Sequence, residues 1–279
     1  MRINFNKVFS WFILALGALY FFVPLYATFM FSLRAQRGEY SLRAYELVLA
    51  DPKFLGGTVD GQFAFGSFLT SVTVALFTIT FSLLLIVPTA YWVNLRLPKT
   101  RSAVEFVTMM PFVIPAVILV FGLIRVYSRP PFILTTNELT SNFLLVCAYT
   151  VLSFPYMYRA VDTGLRAINV RTLTEAAQSL GANWGQILWW VIFPNLRVAL
   201  LSGAFLTFAI VLGEFTIAVF LARKTFGPYL ALLIQDRAYE PAALTIMAFA
   251  LTWLAMVVIQ FIGSRGRTPG HAPTAGGPR

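Results

Sequence analysis

Six apolar runs, each about the length needed to cross a bilayer, fix what this chain can fold into. They lie at 10–33, 66–93, 103–124, 142–165, 198–221 and 242–263. A helix rises about 1.5 Å per residue, so roughly 20 apolar residues cross a hydrocarbon core of about 30 Å. The runs therefore predict an all-α, polytopic membrane protein with six transmembrane helices. Composition agrees. The 279 residues are 58% hydrophobic and only 11% charged, against about 25% charged in soluble domains. A chain this apolar needs lipid as part of its solvent. The first run contains Pro24, and the short third run contains Pro111 and Pro115. Prolines of this kind are tolerated in spans where neighbouring helices satisfy the freed carbonyls. The first run is too long for the apolar region of a signal peptide, and no small-residue cleavage site ends it. It is read as a span.

The net charge of +10 would suggest nucleic acid in a soluble protein. Here the basic residues sit at the ends of apolar runs, so no nucleic-acid partner is expected. The connection NLRLPKTRS carries three basic residues in nine positions. By the positive-inside rule it belongs in the cytoplasm. With six spans, that places both termini and the stretch 171–194 in the cytoplasm too. Twelve of the 21 Lys and Arg residues then lie inside. The polar connection 34–65 faces outward. The Gly- and Pro-rich tail 264–279 is expected to be a disordered cytoplasmic segment. No internal repeat is present.

Several chemistries are excluded. One histidine, His271, and one cysteine, Cys147, cannot form the usual zinc spacings. Cys147 lies in an apolar run and is expected to be a buried, inert thiol. No lysine follows a glycine, so the chain has no G-x-x-x-x-G-K-[ST] phosphate loop. No cofactor, metal or catalytic residue is expected. The chain is read as a membrane protein with no catalytic site of its own.

One polar-flanked stretch stands out between the fourth and fifth runs: EAAQSLGANWGQILWWVIFP, from Glu175 to Pro194. Thr172 followed three residues later by Glu175 fits a capping box. A helix then runs through Ala176, Ala177 and Leu180, with the alanines forming a small-residue face. Gly181 stops it as a C-terminal cap. A second short helix, about 184–192, carries Trp184, Trp189 and Trp190, which suit a membrane interface. Pro194 is expected to end it. Elsewhere, Glu214 is the one clearly intramembrane acid. Such residues are functional candidates by default. Glu214 either lines a substrate path or an interface between subunits, where it would favour a cationic solute, or makes a structural hydrogen bond inside the bundle. Arg159 and Asp162 read as interfacial anchors.

The stretch resembles the EAA loop of ABC-transporter permeases, the membrane subunits of binding-protein-dependent importers. Their pattern is E-A-A, three residues, G, nine residues, I, one residue, L-P. Glu175, Ala176, Ala177, Gly181 and Pro194 match by identity, and Val191 and Phe193 replace the Ile and Leu conservatively. A second proline four residues later is often present in the family, and here that position is Val198. The resemblance extends from Pro88-Thr89-Ala90-Tyr91 and the basic turn after it to Gly213-Glu214-Phe215. It implies a type I importer permease, with an N-terminal helix and outer loop over 1–65, a core over 66–263 and a coupling loop over 171–194. Glu175, Ala176, Ala177, Leu180, Gly181 and Pro194 would form the contact with a cytoplasmic ATPase. The implied partners are two ATPase subunits, a second permease subunit, a periplasmic or extracellular solute-binding protein and the lipid of the inner membrane. The resemblance is nearest to spermidine/putrescine-type permeases, which makes a polyamine-like cation the expected cargo. The alternative is a secondary transporter or membrane scaffold without ATPase coupling. A secondary transporter would show two related halves and buried ionisable groups for coupling ions.

Overall fold

A computed structural model describes residues 5–36, 39–59 and 62–264. Its long helices follow the apolar runs. They are α1 (Phe5–Ser32), α4 (Ser67–Leu95), α7 (Glu138–Arg166), α10 (Phe193–Gly213) and α13 (Glu240–Ser264). With α9 (Trp184–Gln186) and the turn after it, α10 forms one apolar rod, Trp184–Gly213. Among the described residues, five helices are long and apolar enough to cross a membrane, and a bent pair, taken as one span, makes a sixth. That pair is the expected third span. It is broken into α5 (Arg101–Met109) and α6 (Ala116–Tyr127), and its two arms meet at 91°. Pro111 and Pro115 explain the break. Each lacks an N–H and clashes with the carbonyl four residues earlier.

The connection 34–65 is folded. It contains α2 (Arg43–Ala50), the single turn α3 (Pro52–Leu55) and a two-stranded antiparallel hairpin. β1 (Gly56–Val59) pairs with β2 (Gln62–Phe65), with Gly56 opposite Phe65. The all-α expectation thus holds for the spans and misses this hairpin. The tail after Ser264, including His271, lies outside the described residues.

The chain divides into two compact units. One comprises Met1–Leu69 with Thr225–Thr252, and the other Thr70–Lys224 with Trp253–Arg279. In the first, α12 (Phe226–Asp236) meets α3. Phe54 lies 5.4 Å from Phe68 and stacks on Tyr229 at 5.8 Å, ring centroid to centroid. The Asp51 carboxylate accepts the Tyr229 hydroxyl at 2.9 Å and the Lys53 N–H at 2.9 Å, which caps α3. Burial, helped by the hydrogen bond to Asp51, pushes the Tyr229 phenol far above its usual range, so it remains a donor. These groups, with Arg237 and Glu240, line a cavity of about 360 Å³. Gly66 is required here, because a Cβ would run into the Phe54 carbonyl oxygen.

The second unit is organised around α7, the helix with the largest buried share. Its partner is α10. Gly164 and Gly203 allow close approach: a Cβ on Gly203 would meet Met157 Sδ at 2.7 Å, and one on Gly164 would meet the Ala199 Cβ at 2.6 Å. One cluster of this core joins Val87, Ala90 and Tyr91 of α4 to Met157, Val161 and Leu165 of α7 and to Ile192, Leu196 and Leu200 beside them. A second joins Val74 and Ala75 to Leu144, Leu145, Tyr149 and Ile217. Gly203→Val is expected to destabilise the α7–α10 pair by about 1–3 kcal/mol, read as a lower thermal midpoint of the purified protein. Cys147 departs from expectation: it is exposed. It follows Leu144, Leu145 and Val146, which are buried, and the 100° step of the helix carries it out of the packed stripe. Large apolar side chains are likewise exposed along all the spans, as lipid contact requires.

Candidate functional site

Between α7 and the 184–213 rod lies α8 (Val170–Ser179), and its ends are set by local chemistry. The expected capping box is not formed. Asn169 is the N-cap, and its side-chain oxygen accepts the Thr172 N–H at 3.2 Å. Asn outranks Thr as a cap, and it lies one turn earlier. Thr172 and Glu175 are therefore inside the helix. Glu175 pairs with Arg171 at 2.8 Å, one turn back on an exposed face.

The C-terminus of α8 is a Schellman turn. The Gly181 N–H donates to the Gln178 carbonyl at 2.9 Å and the Ala182 N–H to the Ala177 carbonyl at 3.1 Å. Gly181 has φ +81°, a conformation that penalises a Cβ and suits glycine. Ala177, at the start of the longer bond, is buried in the core cluster, and Ala182 packs against that cluster.

The chain restarts at a capping box, N-x-x-Q, which sequence reasoning missed. The Asn183 side chain accepts the Gln186 N–H, and the Gln186 side chain accepts the Asn183 N–H, both at 2.9 Å. The next turn, Ile187–Ile192, is π-helical, and α10 follows without a gap. Pro194 therefore does not end the helix. It occupies the first turn of α10, where its missing N–H is accommodated by the widened turn before it. Such π-turns often mark functional sites in helices.

The expected contact residues divide between two faces. Glu175, Ala176, Leu180, Gly181 and Pro194 are exposed, and Leu180 is 89% exposed. Ala177 is buried. Consecutive helical residues point about 100° apart, so the two alanines cannot share a face. Ala177 packs on the chain's own core, and Ala176 is open to a partner. Beyond Gly181, Trp189 stacks on Phe193 at 4.7 Å. It and Trp190 border a surface cavity of about 510 Å³.

The end of α4 grips this loop, which sequence reasoning missed. Tyr91, 2% exposed, bonds the Thr174 hydroxyl at 2.9 Å. Thr174 is equally buried, and its hydroxyl donates to the Val170 carbonyl at 2.7 Å, so it accepts from Tyr91. Trp92 lies 4.9 Å from Trp184, and the Arg96 guanidinium sits 5.9 Å over the same ring. The Asp162 carboxylate, 6% exposed, takes Arg101, Arg166 (3.0 Å) and Asn94 (3.2 Å). It therefore ties α4, α5 and α7 together. The sequence signal for Tyr91 and Asp162 was only their position at the end of a span.

Glu214 follows the last residue of α10. Its carboxylate accepts the N–H groups of Ile217 (2.9 Å) and Ala218 (3.3 Å) and the hydroxyl of Tyr149 (2.6 Å). It thus covers the start of α11 (Thr216–Phe220) and fastens the break to α7. Among the described residues, no group of three His, Cys, Asp or Glu side chains could hold a metal ion.

Comparison with known proteins bears on this arrangement directly. The family described as binding-protein-dependent transport system inner membrane component matches residues 86–266, a stretch running from the end of α4 through the loop and α10. A protein of Salmonella paratyphi A, described as a 2-aminoethylphosphonate transport system permease, PhnV, is 27% identical over 88% of this chain and 90% of its own length. One of Haloferax volcanii, described as a molybdenum ABC transporter permease, is 30% identical over 66% of this chain and 69% of its own. In fold, the chain resembles a bacterial ABC transporter involved in the import of the acidic polysaccharide alginate. That match has a TM-score of 0.62 and 19% identity, and covers 96% of this chain and 99% of the other. The chain belongs to the family of inner-membrane components of binding-protein-dependent transport systems, and it is a permease subunit of an ABC importer.

Proposed function

We propose that the loop formed by α8, Gly181 and α9 faces the cytoplasm and is the socket through which a separate ATPase drives this permease. The observation that carries this reading is the outward face of the loop. Glu175, Ala176 and Leu180 are exposed around a glycine whose added Cβ would meet nothing within 4 Å, while the opposite face is packed on α4. A protruding apolar side chain beside small residues suits a partner groove, and the basic 94–102 connection supports the orientation. The termini would then be cytoplasmic. A second permease subunit would complete the path, and a solute-binding protein would deliver cargo from outside.

The cargo in this proposal is a small phosphonate of the aminoethylphosphonate kind, and it replaces the polyamine expected from sequence. Support comes from a relative described as a 2-aminoethylphosphonate permease, which matches 88% of the chain, and from Glu214. The Glu214 carboxylate already accepts two N–H groups and one O–H, so it acts in this reading as a helix cap and does not serve as a ligand for a cation. The test is uptake by the complex reconstituted with its ATPase and binding protein. Labelled 2-aminoethylphosphonate should accumulate on ATP addition and be competed by excess unlabelled phosphonate, not by spermidine or putrescine. Uptake of a polyamine, or of molybdate, in place of phosphonate would overturn the cargo. Failure of the ATPase to bind the permease would overturn the coupling.

A further inference from the structure

The last turns of α4 place neighbouring side chains on both arms of the loop. Tyr91 reaches Thr174 on α8, before Gly181, and Trp92 reaches Trp184 on α9, after it. The two contacts differ in kind. Tyr91 to Thr174 is a directed hydrogen bond between side chains that are each 2% exposed. The Thr174 hydroxyl proton is committed to the Val170 carbonyl, so the bond has one polarity. Trp92 to Trp184 is a tilted ring contact, and the Arg96 guanidinium lies over the same Trp184 ring. A ring contact slides at little cost, whereas a buried hydrogen bond registers two helices at one setting, because leaving its partners unpaired is expensive.

We infer that Tyr91 and Thr174 are positioning residues that pass displacement of α8 to the transmembrane helix α4. Movement of α8 then reaches the bundle through Tyr91, and Trp92 keeps α9 in step. This rests on the coupling reading above and assigns the route by which that socket works on the spans. Asp162 holds the same end of α4 to α7 and α5 through Asn94 and Arg101, so a pull on Tyr91 is shared by the bundle and does not bend α4 alone.

The test uses the whole importer reconstituted in vesicles, reading uptake and ATP hydrolysis together. Tyr91→Phe removes only the hydroxyl, and Thr174→Val removes the acceptor with little change of shape. Each is expected to lower solute carried per ATP hydrolysed by roughly five- to tenfold, the weight of one buried hydrogen bond, while the ATPase stays bound. The double variant should lose no more than either single one, because they break one bond. Thr174→Ser, which keeps the hydroxyl, should restore the ratio. A merely structural bond would lower the thermal midpoint and the amount of assembled complex and leave solute per ATP unchanged. That outcome, or additive losses, overturns the inference. An ATPase that does not co-purify with the unaltered permease sinks the coupling reading itself. One that co-purifies with all variants at an unchanged ratio sinks only the route through Tyr91.

Discussion

Gly181→Asn should abolish uptake while the protein stays folded in the membrane, and it should fall at least as far as Gly181→Ala. The order matters more than either loss. Gly181 sits at φ +81°, where an ordinary L residue such as Ala is strained by about 1–2 kcal/mol, whereas Asn visits this region readily. A Cβ added there meets nothing within 4 Å beyond the adjoining residues. On stability alone, Asn is therefore the milder change, and a thermal midpoint in detergent should rank it above Ala. On docking, Asn is the worse change, because its larger side chain projects into the space that a closely approaching partner would fill. Opposite rankings for stability and uptake locate the defect outside the chain. Near-normal uptake by the Asn variant, with the ATPase attached, would show that Gly181 serves only to end α8. Expression in the membrane, measured in the same samples, separates lost protein from lost coupling.

The sequence was most readable where the physics is local. Gly181 and the apolar runs depend on a few consecutive residues, so the turn and the spans could be placed from spacing alone. The cap of α8 was misread because Asn169 and Thr172 compete one turn apart, and the winner depends on how the chain leaves α7. Pro194 looked like a stop because proline disfavours a continuing helix, yet the π-turn before it widens the backbone. The third span broke because two prolines four residues apart leave no room for an unbroken ladder. Glu214 carried a charge that suggested a cation, but its partners Ile217 and Tyr149 come together only after α10 ends and α11 begins. The grip of Tyr91 on Thr174 joins residues 83 positions apart, and no periodicity reports a pairing of that kind. Cargo was the least legible property. In the proposed coupling role, the EAA pattern concerns how the chain is driven, whereas a solute path is assembled from single side chains on several helices.

Asp162→Asn should be among the most destabilising single changes in the second unit. The carboxylate is 6% exposed and receives donors from three elements: Asn94 of α4, Arg101 of α5 and Arg166 of its own helix. Asparagine keeps one acceptor oxygen and turns an amide toward a site where the two guanidinium groups can only donate. Arg101, whose side chain is only 25% exposed, is then left with an uncompensated charge. Breaking a buried pair from one side costs about 3–5 kcal/mol, and partial access of water to Arg101 brings this to about 3 kcal/mol. The thermal midpoint of the purified permease should fall by roughly 5–10 °C. Arg166→Gln should cost far less, about 0.5 kcal/mol, because that partner is 55% exposed and an i,i+4 pair is weak. Glu175→Gln, which breaks the exposed pair with Arg171, should leave the midpoint unchanged. Arg101→Lys discriminates between charge and geometry. Lysine retains the charge but loses the planar fork that reaches Asp162, so an intermediate fall identifies a directed contact, and a midpoint equal to that of the unaltered protein would reduce the cluster to simple charge neutralisation.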